Sequence, residues 1–113
     1  MNAEQPPNAL RVRVYIGEQI QKGGRPVYEL LVSEARQRGI AGATVLKGVM
    51  GYGSHGEVHT AKILRLAEHL PLCVEFVDYP EKLRPFLEWI RGILDHGHAT
   101  LESVEIIHFG KRD

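Results

Sequence analysis

The 113-residue chain has one cysteine, Cys73, no excess of either charge, and few aromatic residues. A lone cysteine excludes an internal disulfide and fits a reducing compartment. The formal net charge is +0 with the six histidines neutral. That balance argues against a broad nucleic-acid or membrane-binding surface, because either normally needs a basic excess. No apolar run approaches the ~20 residues of a membrane span. The opening MNAEQPPN lacks the charged-then-apolar order of a signal peptide, so a cytoplasmic location is expected. There is no serine elbow, no Cys–His pair that spacing supports and no paired-carboxylate motif. No catalytic residue is therefore assigned, and an enzyme is not expected.

What is present reads as a single domain. Residues 1–9 form a polar leader with Pro6-Pro7, 10–109 one folded unit, and 110–113 a tail. Leu10, Val12, Val14 and Ile16 alternate with Arg11, Arg13 and Tyr15, the period of a strand with one buried face. A polar loop follows, ending in Gly23-Gly24. Pro26 suits the first turn of a helix; Val27, Leu30, Leu31 and Ala35 give it an apolar stripe, and Gly39 stops it. Strand three is predicted over Leu72–Asp78, with Leu72, Val74 and Phe76 on one face. Asp78 suits a cap for a second helix carrying Leu83, Phe86, Leu87, Ile90 and Leu94. Pro85 predicts an irregular first turn, or a helix that settles only near Arg84, and Gly97 an end to the helix. Trp89 falls beside the apolar stripe and reads as packing. The last strand is predicted from about Ser103 to Phe109. Cys73 reads as a buried structural thiol.

The order strand, helix, strand, strand, helix, strand defines an α+β, ferredoxin-like βαββαβ fold, a four-stranded antiparallel sheet with both helices on one face. The other face then carries Arg11, Arg13, Tyr15, Cys73, Glu75 and Val77 and, by alternation, Glu105, Ile107 and Phe109. A face mixing Arg and Glu with apolar residues is either solvated or covered by a partner subunit, with Arg–Glu pairs across strands.

The stretch between Gly42 and Leu66, GATVLKGVMGYGSHGEVHTAKILRL, begins as strand two and dissolves into glycine at Gly48, Gly51, Gly53 and Gly56. Glycine lets a backbone approach a ligand closely. With Lys47 just before it, the loop suits an anion; its plainer reading is a bulge or loop tip. It is neither a Walker loop nor a dinucleotide fingerprint. His55 and His59 are the alternative, as metal ligands. An enzyme using Lys47 and the glycines as a cradle for a phosphorylated small molecule is a third reading.

The same residues carry a resemblance. The pattern GATVLKGVMGYGSHGEVHT followed by LRLAEHLPLCVEFVD resembles the family known as domain of unknown function 190, within the PII-like (nitrogen-regulator-like) superfamily, over nearly the whole chain. The resemblance implies a PII-like homotrimer with sheets facing the three-fold axis. It implies a non-enzymatic signalling protein that regulates a membrane transporter or enzyme through its 53–70 loop. It also implies a small effector, an adenine nucleotide, in clefts between subunits, with no other cofactor. Carried over residue by residue, the effector-binding positions are Thr44, then Gly51, Tyr52, Gly53 and Ser54 at the loop root, Val77 and Asp78 at the end of strand three, and His96, Gly97 and His98 after helix two; Lys47 joins them as the cation before the glycine loop. Histidine stands where PII proteins place lysine or arginine, which favours a mono-, di- or cyclic nucleotide over a triphosphate. The alternative is a metal-binding trimer of the divalent-ion-tolerance type through His55 and His59. Between 58 and 66 there is no tyrosine, which excludes the uridylylation that marks many PII proteins.

Overall fold

The computed structural model describes residues 8–52 and 70–110, and residues 59 and 60 through their backbone. The Leu10–Ile16 alternation becomes β1 (Ala9–Gly17), whose Val12 and Val14 are fully buried. A two-residue Gly23–Gly24 turn joins β2 (Gln21–Lys22) to β3 (Arg25–Pro26). The segment predicted as plain loop is thus a small hairpin, the form that Gly-Gly between short extended pairs encodes. Helix α1 (Val27–Gln37) follows and buries Val27, Leu31 and Ala35. Then come β4 (Gly42–Lys47), β5 (Met50–Gly51), β6 (His59–Thr60), β7 (Pro71–Asp78), α2 (Pro80–Ile93) and β8 (His98–Val104).

β1 is a central strand. It pairs antiparallel with β7 from Leu10↔Asp78 to Gly17↔Pro71, and with β8 from Ala9↔Val104 to Tyr15↔His98. β4 joins the far side of β7, giving the order β4-β7-β1-β8. This is the ferredoxin-like arrangement the sequence predicts. Leu10, Val12, Val14 and Ile16 with Leu72, Val74 and Phe76 form the sheet side of the core, against Leu31, Leu83, Phe86 and Ile90 from the helices. The Phe76 and Phe86 rings meet edge to face, centroids 4.9 Å apart. Truncating either to alanine costs about 3–5 kcal/mol. Trp89 stacks on Phe86 at 5.9 Å, the packing role expected of it.

Five local expectations are corrected. The last strand is His98–Val104, not Ser103–Phe109. Its pairing with β1 runs out at Ala9, where β1 begins, so Glu105, Ile107 and Phe109 lie beyond the ladder. The strand starts early because α2 ends early. Leu94 is already extended at ψ 129°, and Gly97, at φ +112°, turns the chain so closely against β1 that a Cβ there would sit 3.0 Å from the Tyr15 carbonyl oxygen. At the other end α2 is continuous from Pro80 through Pro85. Pro80 at the first position suits a helix start, and Pro85 removes only one intrahelical bond. The residue preceding α2 is Tyr79, not Asp78, and it makes no side-chain cap. Finally, Cys73 is half-buried on the face away from the helices.

Candidate functional site

The register assigns the open face of the sheet in rows. One row reads Leu46, Cys73, Tyr15, His98; the next Thr44, Glu75, Arg13, Thr100; the next Gly42, Val77, Arg11, Glu102. The cross-strand Arg–Glu pairing expected there is present, but the β8 partner is Glu102. Arg11 Nε donates to Glu102 Oε1 at 3.0 Å and lies 3.9 Å from Glu75 Oε2. Arg13 Nε donates to Glu75 Oε2 at 3.0 Å, and its Nη1 lies 3.8 Å from Glu102. Two guanidinium and two carboxylate groups thus form one neutral lattice. The Arg11 hydrogen bond holds the Glu102 carboxyl below the usual glutamate range, and the Glu75 hydrogen bond raises Arg13.

Lys47, Gly51, Tyr52, His96, Gly97 and His98 lie at the end of the sheet where β1 and β4 finish and β7 and β8 begin. Lys47 closes β4 and its Nζ lies 3.1 Å from Glu18 Oε2. The chain then turns over Pro71. The Gly48 amide donates to the Pro71 carbonyl at 2.8 Å, and a Cβ on Gly48 or Gly51 would lie 3.0 Å from Pro71 Cγ. Close backbone approach is therefore required at both glycines, here by a proline. β5 and β6 pair as Met50↔Thr60 and Gly51↔His59, so the root of the connection is a short ribbon. Val49, Met50 and Tyr52 project from it, largely exposed.

His96, Gly97 and His98 lie at the same end, on the opposite edge. His98 stacks on Tyr15, ring centroids 5.1 Å apart. A groove of about 670 Å³ between α2 and β8 is lined by Leu94, His96, Gly97, His98, Ala99 and Leu101, among others. A second, of about 310 Å³, meets it at Asp95 and His96 and is walled by Gln19, Ile20 and Lys22. Thr44 sits midway along β4 on the open face.

Val77 and Asp78 lie at the far end of β7. Asp78 is buried on the helix side, and its carboxylate accepts from the Ala41 amide at 2.8 Å and the Tyr79 amide at 2.7 Å. Both its oxygens thus hold the chain where α1 returns to the sheet and β7 enters α2. Gly53, Ser54 and the alternative metal ligand His55 lie outside the described residues, as does the side chain of His59. Among the described residues no group of three or more His, Cys, Asp or Glu is placed to hold a metal ion, and no helix is long and apolar enough to cross a membrane.

Sequence reasoning missed Glu18, Pro71 and the Tyr15–His98 stack. The strand order holds their signal. In a β4-β7-β1-β8 sheet, whatever follows β1 must stand beside the residues that leave β4 and enter β7.

The fold is PII-like. CPII of Thiomonas intermedia, a nitrogen regulatory PII-like protein solved bound to ADP, AMP and bicarbonate, matches with a TM-score of 0.68 over 88% of this chain and 89% of that one, at 14% identity. A PII-like signalling protein of Thermus thermophilus matches at 0.59 over 88% and 91%, with 18% identity. At such identities the likeness is one of fold. The chain itself belongs to the DUF190 family, described as "Uncharacterized ACR", whose model matches residues 9–106. A UPF0166 protein of Aquifex aeolicus is 39% identical over 97 residues, 86% of this chain and 91% of that one. Another, of Methanocaldococcus jannaschii, is 36% identical over 76 residues, 67% and 69% of the two chains.

Proposed function

We propose that the chain is a non-enzymatic, PII-like regulatory protein that assembles as a homotrimer. It binds a small anionic effector, in the first instance an adenine nucleotide, in clefts between subunits. It acts on a membrane transporter or an enzyme through its 53–70 connection. One observation carries the reading: Lys47–Tyr52 and His96–His98 lie at the same end of the sheet on its two opposite edges. Three strand spacings, roughly 14 Å, part those edges within one chain. Setting the β8 edge of one copy beside the β4 edge of the next brings the two groups together.

Contacts between unlike edges are head-to-tail, and these close into rings when the rotation allows. Both edges favour such contact. β4 and β8 are exposed along nearly their whole length, with Leu46 52% exposed. Natural sheets rarely leave such edges uncovered. In the cleft, Lys47 supplies charge, and the Gly51–Tyr52 backbone, with Gly53 and Ser54, supplies N–H donors of the kind that cradle phosphate. Thr44 adds a hydroxyl, and the neighbour's His96–His98 turn closes the other side. Val77 and Asp78, roughly 17 Å along β7, would meet only a ligand that extends down the β4 edge. The ADP and AMP carried by the CPII neighbour support adenine nucleotide as the ligand class.

Calorimetric titration with AMP, ADP, ATP and cyclic AMP at pH 6 and pH 8 tests the reading. Binding of at least one of the four is expected. No heat with any of the four at either pH would overturn it.

A further inference from the structure

Glu18 touches both ends of the connection between β4 and β7. Its amide donates to the Leu70 carbonyl at 3.0 Å, where the connection ends. Its Oε2 lies 3.1 Å from Lys47 Nζ, where the connection begins. Its other oxygen, Oε1, is buried with no hydrogen-bond partner among the described residues. The Glu18 side chain is 22% exposed and that of Lys47 47%, so the carboxylate faces inward while the ammonium group still reaches solvent.

We propose that Glu18 is the resident anion of the Lys47 site and the latch of the 48–70 connection. Its carboxylate holds the place at Lys47 that an effector's anionic group would take. The ligand side of the proposal rests on the reading of Lys47 given above. Among the described residues, this carboxylate has one buried oxygen without a partner and Lys47 as its one side-chain partner. An anion that takes Lys47 leaves that carboxylate half-buried with neither oxygen satisfied, an unfavourable state. The state relaxes when Glu18 turns outward or when the loop ends part. A closed latch and an anion at Lys47 therefore oppose each other. By linkage, the factor by which the latch weakens the anion equals the factor by which the anion loosens the latch. The root of the loop thus registers occupancy without the ligand touching the rest of the loop.

Two arms test this in the full chain. In the first, amide hydrogen exchange is followed without ligand in the wild type, Glu18→Gln and Lys47→Gln, with the amides of Val14 and Leu31 as controls for intact folding. Both variants should exchange the Gly48 and Glu18 amides about fivefold faster while the controls hold, the scale of an ion pair near a surface. Unchanged exchange at Gly48 in both variants would overturn the latch. In the second arm ADP is titrated into the same proteins. Glu18→Gln should bind about fivefold more tightly than wild type, and Lys47→Gln more weakly. If the wild type binds ADP and Glu18→Gln binds it no better, Glu18 is not the resident anion. If the wild type takes no ADP, the nucleotide reading falls, and the exchange arm alone decides the latch.

Discussion

Glu102 faces Arg11 across the β1–β8 ladder, and that hydrogen bond lowers its carboxyl pKa. A carboxyl depressed in the folded state contributes stability that is complete above its ordinary value of 4.5 and is lost as pH falls through the lower folded value. Urea midpoints should therefore drop on acidification below pH 4.5, and by less in Glu102→Gln than in wild type. An equal drop in both proteins would show that the lattice carries none of the acid sensitivity. The lattice also shows how sequence and structure part at this scale. The Arg residues on the open face were legible from the β1 alternation. Which glutamate they meet was not, because that depends on where β8 starts.

At the scale of elements, the start of β8 turns on Gly97. The sequence makes Gly97 a plain stop signal, which places the end of α2 there. The helix in fact leaves α geometry at Leu94, a residue whose type carries no such signal. Gly97 is fixed for another reason: it passes the Tyr15 carbonyl and Ile16 at positive φ. Gly97→Ala should destabilise the fold by about 1–2 kcal/mol from the backbone conformation alone. It should also disturb the His98–Tyr15 stack, seen as a shift of the His98 ring resonances. An unperturbed His98 in a folded Gly97→Ala protein would show that the turn does not position the His98 ring. Other elements were legible because their physics is local. β1 and β7 alternate strictly, α1 ends at Gln37 just ahead of Gly39, and Lys47 closes a strand that is followed by Gly48. Glu18 was hidden because its two partners come from other parts of the chain.

At the scale of the whole molecule, the two exposed edges make a prediction about mass. A head-to-tail trimer should run in light scattering at about three times the 12.7 kDa of the chain. Leu46→Glu, a charge on the exposed β4 edge well outside the core, should shift it toward the single-chain mass while leaving far-UV circular dichroism unchanged. A wild type that runs at 12.7 kDa would remove the ring and the intersubunit cleft together. The central place of β1 has a last consequence, for how the protein is made. The first strand of the domain has β7 and β8 as its neighbours, and Arg11 and Glu102 stand 91 positions apart. Such distant closures carry a chain-entropy cost that no early local contact offsets, and they slow folding. During synthesis, Val12 and Val14 must wait until both β7 and β8 have emerged before both flanks are covered. The sheet is therefore completed late, and its central strand β1 depends until then on segments made long after it.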